Sequence, residues 1–292
     1  MTSLPLLDMH CHPIQARSYV TRYPLTDNGS LLSVAADQPS LLAVTMSPDE
    51  WSGRASSSVA GSAKSIWALG LHPWEQQNRD QLASFLNLVP ECDAVGEVGL
   101  DGSLWAGSDL NSQREILITI LDNQHSRDRI VSIHGYEANA DLVGVLEEHL
   151  CAGVIYHWFS GNSETLQRAV ALDIFYSVNH AMFSVPEGSE LVSAMPRTRV
   201  LMETDAPSID RATGRALSPG AEETDDRPLW PGEVGLTEVE LGQVWGVDVA
   251  EVRRQVWQNL AELESRLQRR PFSAVEMLSR FDASGSTNIL ER

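Results

Sequence analysis

The stretch Leu6-Leu7-Asp8-Met9-His10-Cys11-His12 decides how the rest of the chain is read. It starts as an apolar strand would, and alternation along a strand places Asp8, His10 and His12 on one face. Two imidazoles on one face at a strand's end can grip a single metal ion. Residues 6–10 are the first of eight short apolar or β-branched runs; the others are 41–47, 65–72, 93–100, 130–134, 153–158, 174–180 and 199–205. Between them, residues 78–88, 110–127, 138–150, 163–172 and 186–194 carry apolar side chains at three-to-four spacing, which marks helices packed on one side. Runs that are apolar on both faces and alternate with helices predict an α/β fold, a TIM (β/α)8 barrel of parallel strands.

Outside that core, residues 208–235 are rich in Pro and Gly and carry Glu222, Glu223, Asp225 and Asp226, so they read as a loop at the barrel mouth. Residues 52–65 read as a loose surface insertion. Two helical segments follow at 237–245 and 248–270. Residues 1–270 are expected to form one barrel domain, and 271–292 a tail of weak periodicity that is only partly ordered.

The chain has 292 residues, 42% of them hydrophobic, enough to bury one large core. Its start has no basic segment followed by an apolar one, and nowhere do about 18 apolar residues run unbroken, so a cytoplasmic protein without a membrane span is expected. Cys11, Cys92 and Cys151 are odd in number and show no CxxC spacing, which argues against a disulfide framework or zinc knuckle. The formal net charge is −19, and Lys64 is the only lysine. Such a chain repels a long phosphate backbone, so short strand ends or a small phosphoester suit it better than a wrapped duplex.

The chemistry sits at strand ends. His10 and His12 close the first run, Glu97 lies near the end of the fourth, His134 ends the fifth, His157 is near the end of the sixth and Asp205 ends the eighth. Barrel active sites are built at that C-terminal mouth, and five strand ends bearing N and O donors define a metal centre. Four histidines and two carboxylates exceed what one zinc takes from protein. Two divalent ions, Zn, Mn or Mg, are therefore expected, with Glu97 placed to bridge them. Such a centre acidifies a water for in-line attack at phosphorus, with Asp205 both a ligand and the acceptor of the water's proton.

The motifs DMHCH (8–12), GLHP (70–73), GEVGLD (96–101), SIH (132–134), HWFSG (157–161) and ETDAP (203–207) together resemble those of the TatD-like hydrolases in order and spacing. That resemblance implies a TIM barrel, a binuclear metal site and phosphodiesterase activity on nucleic-acid ends, with the six ligands already named. It also implies that His72, of the GLHP motif, contacts phosphate or leaving group rather than metal. Asp8 and Asp101 fit posts that orient ligands, and Asn259 fits a structural post in the terminal helix. Trp74 and Trp158 flank mouth histidines and are candidates for stacking a base. His180 is a candidate further polar contact.

Within the family, the wording of SVAADQPSLLAVTMSPDEW, GLHPW, GEVGLDG, HWFSG and FYSVNHAM resembles the TatD-like component of Qat antiphage defence operons. This narrower resemblance implies an ATPase and a QueC-like protein as partners. The chain departs from the family after His134: where members continue His-Ser-Arg-Asp, it reads His134-Gly135-Tyr136-Glu137, without the phosphate-binding arginine. Two rival readings stand beside the phosphodiesterase. One is an amidohydrolase cleaving a C–N or ester bond, whose metals are often bridged by a carbamylated lysine at the fourth strand, a place held here by Glu97. The other is a metal-bound subunit that acts only with a partner.

Overall fold

The computed structural model describes residues 4–13, 39–54, 64–75, 77–206, 209–210, 215–216 and 233–286. All eight apolar runs form strands: β1 (Leu7–Cys11), β2 (Ser40–Ala43), β3 (Lys64–Leu71), β4 (Ala94–Asp101), β5 (Ile130–Tyr136), β6 (Val154–His157), β7 (Phe175–Val178) and β8 (Val200–Met202). They pair in chain order, each pairing parallel. The ring is completed where the ends of β1 and β8 meet. There the Asp205 N–H donates to His10 O at 2.9 Å and the His12 N–H to Ala206 O at 2.7 Å. This is the predicted TIM (β/α)8 barrel.

Helices α1 (Pro48–Gly53), α2 (Arg79–Leu88), α3 (Leu110–Asp122), α4 (Gln124–Arg127), α5 (Asn139–His149), α6 (Ser163–Ala171) and α7 (Pro186–Ala194) follow strands, and α8 (Val234–Trp245) and α9 (Val249–Ser265) follow β8. Their starts are set by side chains that accept otherwise unpaired backbone N–H groups: Ser47, Asn78, Asp109, Asn162 and Asp248. Residues 110–127, expected as one helix, are two. Asn123 is extended, ends α3, and offers its side chain to the His125 N–H, which starts α4.

Beyond Arg270, where the sequence places the end of the barrel domain, ordered structure continues. Phe272 and Ala274 are buried, and α10 (Ala274–Ser286) packs on α9. The Glu264 carboxylate accepts the N–H groups of Phe272, Ser273 and Ala274 at 2.6, 3.2 and 2.7 Å, fixing the turn into α10. Asn259 has the structural place expected of it: its amide donates to Arg197 O and Val200 O at 2.8 and 2.7 Å, tying α9 to β8.

Of the expected mouth loop, residues 209–210 and 215–216 pair as antiparallel β9 and β10. Its acidic residues 222, 223, 225 and 226 lie outside the described residues, as do 55–63 of the expected insertion. The three cysteines are buried and unpaired. Among the described residues no helix is long and apolar enough to cross a membrane. The apolar core fills the space between strands and helices, so the strand ends deliver their polar side chains to one mouth.

Candidate metal centre

Glu97 is the hub. Its carboxylate is 2% exposed and its two oxygens face different partners. Oε2 lies 3.3 Å from His10 Nε2 and 3.2 Å from His12 Nε2. Oε1 lies 2.8 Å from His134 Nδ1, 2.9 Å from His157 Nε2 and 3.2 Å from His72 Nε2. Asp205 Oδ1 completes the first side, at 3.5 Å from His10 Nε2 and 3.3 Å from His12 Nε2. Three groups of side chains therefore have metal-ligand spacing: His10, His12 and Asp205; His72, Glu97 and His134; and His10, His157 and Glu203. The Glu97 carboxylate lies between the first two.

Each ring is oriented by its far nitrogen. His134 Nε2 is 2.9 Å from Asp101 Oδ2, and His157 Nδ1 is 3.4 Å from Glu203 Oε1. Both carboxylates accept the ring N–H, so the nitrogens facing Glu97, His134 Nδ1 and His157 Nε2, are the ones that can ligate a cation once the rings are neutral. His10 Nδ1 sits 2.7 Å from Ser132 Oγ. Glu203 is itself held by Ser177 Oγ and by Asn179 Nδ2, the latter at 3.1 Å. His10 and His12 bring their Nε2 atoms within 3.3 Å of each other. Converging imidazole nitrogens opposed by carboxylates are a donor set that fits divalent cations.

His72 differs from the other rings. The Trp74 backbone N–H donates to His72 Nδ1 at 3.0 Å, which puts the ring proton on Nε2 and makes that nitrogen a donor towards Glu97. Burial drives the His72 pKa down to about 4, so the ring is a neutral donor. The sequence expectation gave this ring a phosphate or leaving-group oxygen as its partner, and its position also lies among the candidate ligands. Trp74 is set differently from a free stacking ring: its indole N–H donates to Asp101 Oδ2 at 2.6 Å, the oxygen that orients His134.

The remaining charges follow from the same crowding. Burial pushes the Glu97 carboxyl up, but the imidazoles around it, His157 and His10 among them, outweigh burial and hold it well below the usual range. For His12, burial opposes charging, yet hydrogen bonds to Asp205 and Glu97 prevail and raise its pKa to about 10. Asp101 is lowered to about 2 against the effect of burial, by hydrogen bonds from His134 and Ser103.

All six expected ligands meet here. Asp8 does not touch a ring; it accepts the His10 N–H and both the N–H and hydroxyl of Thr204, joining β1 to the segment after β8. Trp158 packs against the core, and His180 Nδ1 lies 3.8 Å from Glu240 of α8. Sequence reading missed Ser132, Glu203, Ser177 and Asn179. The signal for the first was present: Ser132 precedes His134 by two residues along β5, the spacing that shares a strand face.

The sequence model of the family described as TatD related DNase matches residues 7–265. The chain belongs to that family. Among its relatives, the human "Deoxyribonuclease TATDN3" is 27% identical over 177 residues, 60% of this chain and 60% of the relative. The "3'-5' ssDNA/RNA exonuclease TatD" of Pantoea vagans is 30% identical over 148 residues, 47% of this chain and 56% of the relative. The matched stretches thus span less than two thirds of these relatives' own lengths. The crystal structure of YJJV, a TatD homologue from Escherichia coli, superposes with a TM-score of 0.65 at 19% identity, covering 88% of this chain and 97% of that one. An Entamoeba histolytica TatD family hydrolase gives 0.67 at 15% identity, covering 90% and 99%. These structures share the barrel with this TatD-family chain.

Ligation requires neutral imidazoles, and His12 holds its proton up to about pH 10. Loading the metal-stripped protein near neutral pH should therefore release about one proton per chain or more, and apparent affinity should rise with pH. Calorimetry in buffers of different ionisation enthalpy measures this; loading without proton release contradicts the assignment of His12.

Proposed function

We propose that this chain is a two-metal phosphodiesterase that hydrolyses the ends of short single-stranded nucleic acids. The carrying observation is the Glu97 carboxylate, one oxygen facing the His10–His12–Asp205 group and the other facing His134 and His157. In this reading His10, His12, Asp205 and Glu97 hold one cation, and His134, His157 and Glu97 the other. Bound divalent cations supply Lewis-acid stabilisation to a phosphoryl group and acidify water. Asp205 holds its ligand geometry and accepts the water's proton, and neutral His72 donates from Nε2 to a phosphate or leaving-group oxygen. Glu203 and Asp101 keep His157 and His134 in the ligating tautomer.

Family membership supports this reading, as does the single-stranded exonuclease activity in the name of the Pantoea relative. An amidohydrolase bridged by carbamylated lysine has no support, because Lys64 begins β3 at the opposite end of the barrel from Glu97. Charge sets the substrate size. With −19 overall and an exposed Glu137 following Tyr136 where the family carries arginine, a long polyanion is repelled.

The narrower reading, from motif wording, is that the chain serves a Qat-type antiphage operon beside an ATPase and a QueC-like protein. Introducing Asp205→Asn into such an operon should then abolish protection in plaque assays, and undiminished protection rejects this reading.

With Mn²⁺, Mg²⁺ or Zn²⁺ and end-labelled oligonucleotides, the wild type should shorten single strands and leave long duplex largely intact at physiological salt. Asp205→Asn should lower turnover at least about a hundredfold while retaining the circular dichroism of the fold. Glu137→Arg should raise turnover. Efficient duplex cleavage by the wild type, or full activity in Asp205→Asn, overturns the proposal.

A further inference from the structure

We infer that Trp105 and Tyr136 form an aromatic shelf beside the metal centre on which unpaired bases of a single-stranded substrate stack. The inference rests on the phosphodiesterase reading and names how the substrate is held.

Among the large hydrophobic side chains that the described residues leave exposed, the aromatic ones are Trp105, 51% exposed, and Tyr136, 45% exposed. Leu104, wholly exposed, lies next to Trp105. All three follow or end β4 and β5, at the mouth. Large apolar groups left in water at two paired strand ends are unusual enough to point to a ligand.

Register ties both aromatics to the chemistry. Along β5, Ser132 reaches His10 and His134 reaches Glu97, so alternation puts Tyr136 on the same face, about 6.6 Å further along the strand. Tyr136 pairs in register with Asp101, whose carboxylate orients His134. The loop bearing Trp105 is pinned at both ends: the Gly102 N–H donates to Tyr136 O at 2.9 Å and the Gly107 N–H to Pro73 O at 2.8 Å. Within it, the Ser103 N–H donates to Asp101 Oδ1 at 2.7 Å and the Trp105 N–H to Ser103 Oγ at 3.3 Å. Gly107 is required, since a Cβ there would lie 2.2 Å from Glu75 O. The shelf therefore spans the sector between β3 and β5, over the side of the centre formed by His72 and His134. A loop already ordered costs little further entropy when ligand binds.

Charge selects bases as the occupant. A chain of −19 gains little from contacts that depend on phosphate neutralisation, and Glu137 follows Tyr136 directly. Stacking is indifferent to the sign of the protein's charge and tolerant of base identity.

The test compares an oligothymidylate with an abasic oligonucleotide of the same length, by steady-state kinetics of the metal-loaded enzyme and by fluorescence anisotropy of the labelled oligomers with Ca²⁺-loaded protein. For Trp105→Ala or Tyr136→Ala, the preference for thymidylate over abasic strand should fall about tenfold, as expected when one base loses its platform. Trp105→Phe and Tyr136→Phe should keep most of it. If anisotropy shows this pattern but no variant or wild type hydrolyses either oligomer, the shelf stands and the phosphodiesterase reading falls. An unchanged preference in the Ala double variant, or an equal loss for both oligomers, overturns the shelf. So does a self-association that the double variant abolishes while oligomer preference is unaltered.

Discussion

Burying the Glu97 carboxylate sets the terms for the rest of the molecule. A charge 2% exposed at the mouth of a barrel costs several kcal/mol unless it is paired and hydrogen-bonded. Here the compensation is a ring of five imidazoles, from His10, His12, His72, His134 and His157, all within 3.3 Å of a Glu97 oxygen. Those rings come from three strand ends, those of β1, β5 and β6, and from the turn after β3. Any departure from the barrel would strip partners from the carboxylate and leave it uncompensated. Cations bound between the same donors satisfy the same electrostatic requirement, so fold and chemistry draw on one arrangement.

Geometry at the strand ends shows what holding that ring requires. Asp205, Trp158 and Glu137, which follow β8, β6 and β5, have φ of 52°, 38° and 51°, left-handed values that non-glycine residues rarely adopt. For Asp205 the conformation is held by its N–H to His10 O, the same bond that completes the barrel. Backbone of this kind persists only where surrounding contacts determine it. Gly99, at φ 156°, lies so close to β5 that a Cβ would meet His134 O at 2.0 Å. The glycines of GEVGLD therefore let β4 and β5 approach closely enough for Glu97 and His134 to meet.

Most of the barrel, and the six residues that meet at its mouth, were legible in the sequence, because both rest on short-range periodicity. Apolar runs give strands, and a period of two gives the face on which His10 and His12 lie. What escaped depends on distance through space. Glu203 is recognisable as the orienting partner of His157 only once β6 and β8 are placed across β7. Trp74 reads as a stacking ring beside a histidine until its indole is found on Asp101, 27 residues away. Likewise α10 has no strong pattern of its own; Glu264, pinning three backbone N–H groups, fixes where it begins.

The central claim is that Glu97 bridges two cations. It is tested most directly by anomalous diffraction from crystals of the protein loaded with Mn²⁺ or Zn²⁺, with data collected on both sides of the metal's absorption edge. The account expects two anomalous peaks roughly 3.5–4 Å apart on either side of the Glu97 carboxylate, one against His10, His12 and Asp205 and one against His134 and His157. A single peak in fully loaded crystals, or peaks away from Glu97, would contradict it.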